Sequence, residues 1–107
     1  MKEGRIAIDN SKLGVSSDIL RALAHPLRIQ ILEFIDGHGT INVNKIYHTL
    51  NLEQSITSQH LRILRKNGLV FTHRDGKYVH YSLNYPKIHT VVKAVERFVL
   101  EDEQEEN

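Results

Sequence analysis

A change of residue pattern at Gly68 constrains the fold of this chain more than any other feature. Before Gly68, two short segments carry apolar residues at helical spacing, and only the three residues 51–53 separate them. After it, the runs LVFTHR and KYVHYSL are rich in β-branched and aromatic residues and flank Asp75-Gly76, a strong signal for a β-hairpin. Two helices joined so tightly predict a helix-turn-helix, and the two runs predict a hairpin beside it, the wing (residues 69–83).

Three further helices are predicted from caps and apolar stripes. Ser16 or Ser17 can cap the first helix, and Pro26 both ends it and suits the start of the second. The second helix is apolar nearly all round, which favours a central position. Asn42 can cap the third helix, and Pro86 opens the last one. The fold class predicted is therefore mainly α with a small β-hairpin, a winged helix-turn-helix of about five helices.

The chain of 107 residues is long enough for one compact domain and not for two. Residues 16–100 hold every predicted element and are expected to form the winged helix-turn-helix domain. Residues 1–15 show no clear period and are expected to be a loosely ordered arm. Residues 101–107, EDEQEEN, are strongly acidic and are expected to be a disordered tail.

The predicted last helix carries a long apolar stripe. It consists of Ile88, Val91, Val92, Val95, Phe98 and Val99. Because the preceding helices already have a core to fill, a partner helix from a second subunit would cover this stripe. The alternative is that the stripe packs on its own domain.

Composition excludes several classes of protein. There is no cysteine, so disulfides, thiolate metal sites and cysteine nucleophiles are absent. No apolar run approaches the length of a membrane span, and the N-terminus has no apolar core of signal-peptide length, so we expect a soluble, cytoplasmic protein. No nucleophile elbow, phosphate loop or paired-carboxylate spacing is visible, so we do not expect an enzyme.

The net charge of +1 hides an uneven distribution. The last seven residues carry five acids and no base, which leaves 14 basic and 8 acidic residues in positions 1–100. Between Gln54 and Lys87 there are six basic residues and one acid, Asp75. This concentration favours a polyanionic partner, although a solvated basic face is the simpler alternative.

The segment QSITSQHLRILRKNGLV, residues 54–70, predicts the second helix of the helix-turn-helix. At helical spacing Ile56, Thr57, His60, Leu61 and Leu64 fall on one side, and Ser55, Ser58, Gln59, Arg62, Arg65 and Lys66 fall on the other. The polar side has no acid, whereas a merely solvated face usually mixes signs. Glutamine can pair with adenine, arginine with guanine, and serine with either base edge, so this face suits a DNA major groove.

Flanking groups are expected to contact the DNA backbone. The N-terminus of the same helix, near Gln54 and Ser55, can bind a phosphate. At the tip of the wing, Arg74, Lys77 and the hydroxyl of Tyr78 can contact the backbone or an adjacent minor groove.

The strands of the wing are expected to alternate between two faces. If Arg74 pairs with Lys77, one face holds Val70, Thr72, Val79 and Tyr81, and the other holds Phe71, His73, Tyr78 and His80. We expect the first set to pack inward and the charged tip to project into water.

Three segments resemble the ArsR/SmtB-type bacterial winged-helix repressors. They are ALAHPLRIQIL (22–32), QSITSQHLRILRKNGLV (54–70) and RDGKYVHYSL (74–83). The resemblance implies a homodimer built from the first and last helices, which adds Ile19 and Leu20 to the expected interface. It also implies two recognition helices on a palindromic operator of double-stranded DNA, and repression that an unknown small-molecule effector relieves.

The metal-ligand positions of that family are not matched. One family site uses Cys-x-Cys at the start of the third helix, where this chain has Asn42-Val43-Asn44. The other needs Asp-x-His-x10-His-x2-Glu on the last helix. If His89 is its first histidine, Lys87 replaces the aspartate and Leu100 the second histidine, and only Glu103 also fits. We therefore expect no metal site and no cofactor.

The histidines leave other possibilities open. His73 and His80 share a face of the wing but lack a third ligand, His60 lies on the inward side of its helix, and His25 beside Pro26 is expected to be structural. Protonation of the histidines would add positive charge and strengthen DNA binding at mildly acid pH. The alternatives to a metal-independent regulator are a metal- or effector-responsive switch with an atypical site in the dimer interface, and an interaction module that does not bind DNA.

Overall fold

The computed structural model describes residues 16–106, with side chains for residues 16–97. In chain order the elements are α1 (Ser17–Leu23), α2 (Pro26–His38), β1 (Thr40–Asn42), α3 (Val43–Thr49), α4 (Gln54–Lys66), β2 (Val70–Asp75), β3 (Tyr78–Leu83) and α5 (Tyr85–Glu106). Helices α3 and α4 form the predicted helix-turn-helix, and β2 and β3 form the wing. The predicted winged helix-turn-helix is therefore confirmed. The predicted arm of residues 1–15 lies outside the described residues.

Helices α1 and α3 begin where short polar side chains accept hydrogen bonds from amides of the first turn. The amide of Ile19 donates to Oγ of Ser16, which resolves the choice between Ser16 and Ser17. The amide of Lys45 donates to Oδ1 of Asn42 at 2.9 Å, so the predicted cap of α3 is confirmed. Helix α2 starts at Pro26 and ends at His38, and it is capped by Gly39, whose φ of 76° suits a residue without Cβ.

The wing has a different register from the one predicted. Strand β2 pairs antiparallel with β3 so that Arg74 lies opposite Val79, not Lys77, and Asp75 lies opposite Tyr78. The loop is Gly76-Lys77, and Gly76 has a φ of 62°. A loop of Asp75-Gly76 would have required positive φ at Asp75, and starting the loop at glycine avoids that strain.

The predicted faces of the wing survive this shift, because the register moves by two residues and side chains alternate with a period of two. Val70, Thr72, Val79 and Tyr81 share one face, and His73 lies directly opposite His80 on the other. A third strand, β1, was not predicted. It pairs antiparallel with β3 and places Ile41 opposite Tyr81, giving the strand order β1-β3-β2.

Helix α2 lies at the centre, as predicted. The core consists of Ile19, Ala22, Ile31, Leu32, Ile35, Ile41, Ile46, Leu61, Leu64, Leu69, Val70, Leu83 and Val91. Two of these, Ile19 at 6% exposure and Val91 at 0%, were predicted to lie in a dimer interface. They instead bury their side chains within their own chain, because α1 and α5 each pack one face on this core.

Helix α5 is held at its start and runs further than predicted. The Tyr85 hydroxyl donates to the carboxylate of Asp36 at the end of α2, and the side-chain amide of Asn84 donates to the carbonyl of Gly68 at 2.8 Å. The helix continues to Glu106, through residues that the sequence assigned to a disordered tail. Glutamate and glutamine are good helix formers, which favours this continuation. None of the helices in the described part of the chain is long and apolar enough to cross a membrane.

Candidate nucleic-acid interface

A tight turn sets the recognition helix (α4) against α3. Asn51 has a φ of 56°, a left-handed conformation that asparagine tolerates better than most residues. The amide of Leu52 then donates to the carbonyl of Tyr47 at 2.9 Å. At the start of α4, Thr57 is fully buried, and both its amide and its hydroxyl donate to the carbonyl of Glu53 at 3.0 Å. These bonds hold the first turn of the recognition helix in place.

The recognition helix presents a polar face without acids. Gln54, Ser55, Gln59, Arg62, Arg65 and Lys66 are exposed, and Ser58 is half-buried. Leu61 and Leu64 are buried as predicted, but Ile56, predicted to face inward, is 39% exposed. The exposed carboxylate of Glu53 stands next to this face at the N-cap and makes no side-chain cap bond. It weakens the predicted phosphate site at Gln54 and Ser55, because it adds negative charge there.

His60 lies on the inner edge of the recognition helix. Its Nδ1 is 3.2 Å from Nη1 of Arg28, and its ring centroid is 4.7 Å from that of His25. Burial lowers the pKa of His60 from its ordinary value of 6.5, and the charges of His25 and Arg28 lower it further. The expected structural role of His25 is confirmed, because its Nδ1 accepts from the Leu27 amide and caps α2.

The tip of the wing places cationic and aromatic groups in solvent. Arg74, Lys77 and Tyr78 are all exposed, and the Nζ of Lys77 lies 5.6 Å from the centroid of the Tyr78 ring. Arg74 and Tyr78 stand on opposite faces of the hairpin, since Arg74 pairs with Val79. The hairpin therefore offers polar contacts on both faces rather than a single row of charges.

A groove between α3 and the wing was not predicted. It has a volume of about 370 Å³ and is lined by Asn42, Asn44, Lys45, His48, Thr49 and Tyr78. Lys45 and His48 are exposed and stand three residues apart on the polar side of α3. That spacing was visible in the sequence, but its position beside Tyr78 depends on the unpredicted pairing of β1 with β3. The groove offers amide and cationic groups suited to a phosphate.

The expected dimer residues fall into four groups. Val92 and Val95 are 45% and 38% exposed, and Leu20 and Ile88 are half-buried. Ile19 and Val91 lie in the core, as noted above. The side chains of Phe98 and Val99 lie outside the described residues. The exposed valines are large apolar groups that only another apolar surface would cover.

The residues at the two family metal positions have other surroundings. Asn42 Oδ1 is already used to cap α3, and the exposed amide of Asn44 is a poor ligand for a soft metal. On α5, Lys87 places a cation two residues before the exposed His89. In the part of the chain that the structure describes, no three His, Asp or Glu side chains are grouped so that they could hold a metal ion.

Comparison with known proteins agrees with this architecture. Residues 25–72 match the model of the bacterial regulatory protein, arsR family. The transcriptional repressor PagR of Bacillus anthracis is 33% identical over an alignment of 93 residues, and the match covers 82% of this chain and 88% of PagR. The chain belongs to the ArsR family.

Solved structures of ArsR-family relatives share its fold. The crystal structure of PagR superposes with a TM-score of 0.65 at 32% identity and covers 81% of this chain and 99% of PagR. Reduced HlyU of Vibrio cholerae gives a TM-score of 0.65 at 32% identity, covering 83% of this chain and 90% of HlyU. Rv0081 of Mycobacterium tuberculosis gives 0.64 at 34% identity, covering 94% and 97%.

Family membership determines the class of function. This ArsR-family protein is a DNA-binding transcriptional regulator and not an enzyme. The alternative of a winged-helix module that does not bind DNA is therefore disfavoured.

Proposed function

We propose that this ArsR-family protein acts as a homodimer that recognises a palindromic operator, represses transcription there, and needs no metal to bind. The observation that carries the proposal is the exposed face of the recognition helix, which combines Gln59, Arg62 and other hydrogen-bonding side chains and has no acid between Gln54 and Lys66. A face of that composition fits the donor and acceptor pattern of the major groove.

The proposed contacts divide into two kinds. Ser58 and Gln59 lie in the first half of the recognition helix, the part that reaches base edges in helix-turn-helix proteins. Arg74, Lys77 and Tyr78 lie at the exposed tip of the wing and are proposed to bind the DNA backbone. Backbone contacts determine affinity and position, whereas base contacts determine which sequence is bound.

Dimerisation is supported by the apolar surface of α5. Val92 and Val95 lie one turn apart and are exposed in the single chain, and Leu20 on α1 is half-buried. A two-fold interface would cover this surface in both copies at once. Two recognition helices related by the same axis would then contact half-sites about one helical turn apart.

Repression is proposed from the functions of relatives. PagR and SdpR of Bacillus subtilis are described as transcriptional repressors, while HlyU of Vibrio cholerae is described as an activator. We expect the operator of this protein to overlap a promoter, since a bound dimer there would exclude polymerase.

Metal-free binding separates this proposal from a metal-responsive switch. Such a switch would need an atypical site, because Asn42, Asn44 and Lys87 do not supply the ligands of the family sites. If metal were required, chelation would abolish operator binding.

The test is selection of bound duplexes from a random DNA pool by the purified protein in a chelating buffer. Enrichment of a palindrome with half-sites about one turn apart is the expected result. Enrichment of a single asymmetric half-site would contradict the dimer. Weak, salt-sensitive binding without enrichment, restored to specific binding by added Zn²⁺, would replace the proposal with the metal-responsive alternative.

A further inference from the structure

One arginine of α2 connects α1 to the recognition helix. The guanidinium of Arg28 donates from Nε to the carbonyl of Ala22 at 2.7 Å and from Nη2 to the carbonyl of Arg21 at 3.1 Å. Its remaining nitrogen, Nη1, lies 3.2 Å from Nδ1 of His60 in the recognition helix. A single planar side chain therefore joins the last turn of α1 to the middle of α4.

This contact determines the protonation state of His60. Arg28 has only N–H donors, so Nδ1 of His60 must accept the hydrogen bond and the ring proton must be on Nε2. The neighbouring His25 is fixed in place by its own hydrogen bond, because its Nδ1 accepts from the amide of Leu27 at 3.2 Å. The arrangement therefore requires an uncharged His60 imidazole beside the Arg28 guanidinium.

We infer that Arg28 and His60 are positioning residues, which fix the orientation of the recognition helix so that its neighbouring side chains meet the bases in one register. The inference rests on the proposed function, since it assumes that Ser58 and Gln59 contact bases. His60 directly follows Gln59, so a shift of His60 displaces that side chain as well. Because Arg28 also holds α1, which belongs to the proposed dimer interface, the contact relates each recognition helix to the two-fold axis.

Protonation of His60 gives its contact with Arg28 a pH dependence that an apolar contact would not have. Burial is the largest cause that disfavours an imidazolium at His60, followed by the His25 imidazole at the start of α2 and then the Arg28 guanidinium. No carboxylate is among the described groups that shift its pKa. A proton on Nδ1 would replace an accepted hydrogen bond with two facing cations. Acid is therefore expected to release the recognition helix, an effect opposite to the general strengthening expected when exposed histidines gain charge near phosphates.

The experiment compares three variants with the wild type. His60→Asn keeps an acceptor oxygen near the position of Nδ1 and removes the titration, whereas His60→Leu removes both. Arg28→Lys keeps the charge but cannot donate in three directions from one plane. The dissociation constants for the selected operator and for a scrambled duplex of the same length are measured at constant ionic strength from about pH 5 to pH 8, where histidine changes charge. Thermal unfolding of each variant is recorded alongside.

At about pH 8, Arg28→Lys and His60→Leu should each reduce the ratio of operator affinity to scrambled-duplex affinity by about tenfold. That is the discrimination supplied by one well-placed base contact. Binding to the scrambled duplex should not change, and His60→Asn should keep the wild-type ratio. Because the pKa of His60 in the folded chain lies below 6.5, the wild-type ratio should fall as the pH drops below 6.5 and through that lowered pKa, while the ratio of His60→Asn stays level. All other histidines are the same in these two proteins, so their difference isolates His60.

Wild-type ratios in folded Arg28→Lys and His60→Leu would overturn the inference. The same conclusion would follow if the wild type and His60→Asn had the same pH profile. If His60→Leu does not fold, Arg28→Lys and the comparison of pH profiles between the wild type and His60→Asn still test the inference. If the wild type itself does not distinguish the two duplexes, the proposed function fails, and this inference fails with it.

Discussion

The recognition helix and the last helix each bury one face in the same core, yet their outer faces differ. Outside α4 lie amide, hydroxyl and guanidinium groups, such as those of Gln59 and Arg62. Outside α5 lie Val92 and Val95, both more than a third exposed. The buried faces show only that both helices belong to one domain. The outer faces indicate different partners, a polyanion for α4 and a second apolar surface for α5.

The largest effect is expected from substitutions that place charges on the exposed apolar surface of α5. The double substitution V92E/V95E places two carboxylates where we propose that the copies meet, so sedimentation should show a monomer. Operator affinity should fall by about hundredfold, because each half-site is then bound without the avidity of the dimer. Lys93→Glu, at an exposed position between the valines, is the control and should remain dimeric. A dimer that survives V92E/V95E would contradict the proposed interface.

On α4, Gln59→Ala and Ser58→Ala should each remove a base contact. Affinity for the selected operator is expected to fall by about tenfold, and repeated selection should yield a site with relaxed preference at particular positions. Gln30→Ala, which truncates an exposed glutamine on α2, is the control and should leave the selected sequence unchanged. An unchanged selection with Gln59→Ala would show that this helix face does not contact bases.

The wing should respond differently from α4. Arg74→Gln and Lys77→Gln should weaken binding to selected and scrambled duplexes alike, and each should reduce the slope of log affinity against log salt by about one. Arg97→Gln removes an exposed charge from α5 and serves as the control. If the wing variants lost specificity in the manner of Gln59→Ala, the division between base-contacting helix and backbone-contacting wing would be wrong.

A smaller effect of the same kind is expected in the groove between α3 and the wing. Lys45→Gln should lower the salt slope by about 0.9 if its ammonium neutralises one phosphate. Lys93→Gln, distant on α5, is the matched control. Equal salt slopes for Lys45→Gln and the wild type would place this groove outside the DNA interface.

The smallest effect concerns stability and pH. His60 has a lowered pKa in the folded chain, so below pH 6.5 the unfolded chain takes up a proton that the folded chain resists. Stability contributed by neutral His60 is therefore present above pH 6.5 and is lost as pH falls through that value toward the folded pKa. Urea unfolding should show a steeper decline on acidification for the wild type than for His60→Asn. Parallel curves of unfolding free energy against pH for the two proteins would show that protonation of His60 does not affect stability.

Local patterns in the sequence predicted the fold well. The caps at Ser16 and Asn42, the start at Pro26 and the hairpin are all short-range features, and the structure contains each of them. The faces of the wing were also predicted correctly despite the wrong register. The error of two residues arose because a turn can begin at either residue of Asp75-Gly76, and only the backbone strain at Asp75 decides between them.

The structural features that were not predicted from the sequence depend on contacts between residues far apart in the chain. Strand β1 has only three residues and exists because β3 pairs with it. The Arg28–His60 contact joins residues 32 positions apart, and a periodic residue pattern cannot predict a contact of that range. Helical spacing grouped Val91 with Val92, although one packs in the core and the other is exposed. An apolar stripe shows that a helix face is covered, but not whether its own chain or another copy covers it.

The pairing of β1 with β3 has a consequence for the order of folding. Asn42 lies opposite His80, so α3, the turn and the recognition helix all lie within a loop that this pairing closes. During synthesis these helices leave the ribosome before β3, and the strand that completes their sheet comes last. We expect a chain ending at residue 76 to retain helical content but to lack native-like protection of α3 from hydrogen exchange. A chain ending at residue 106 should show that protection. In that case the chain acquires its DNA-binding shape in a single late step, when residues 78–83 add to the sheet.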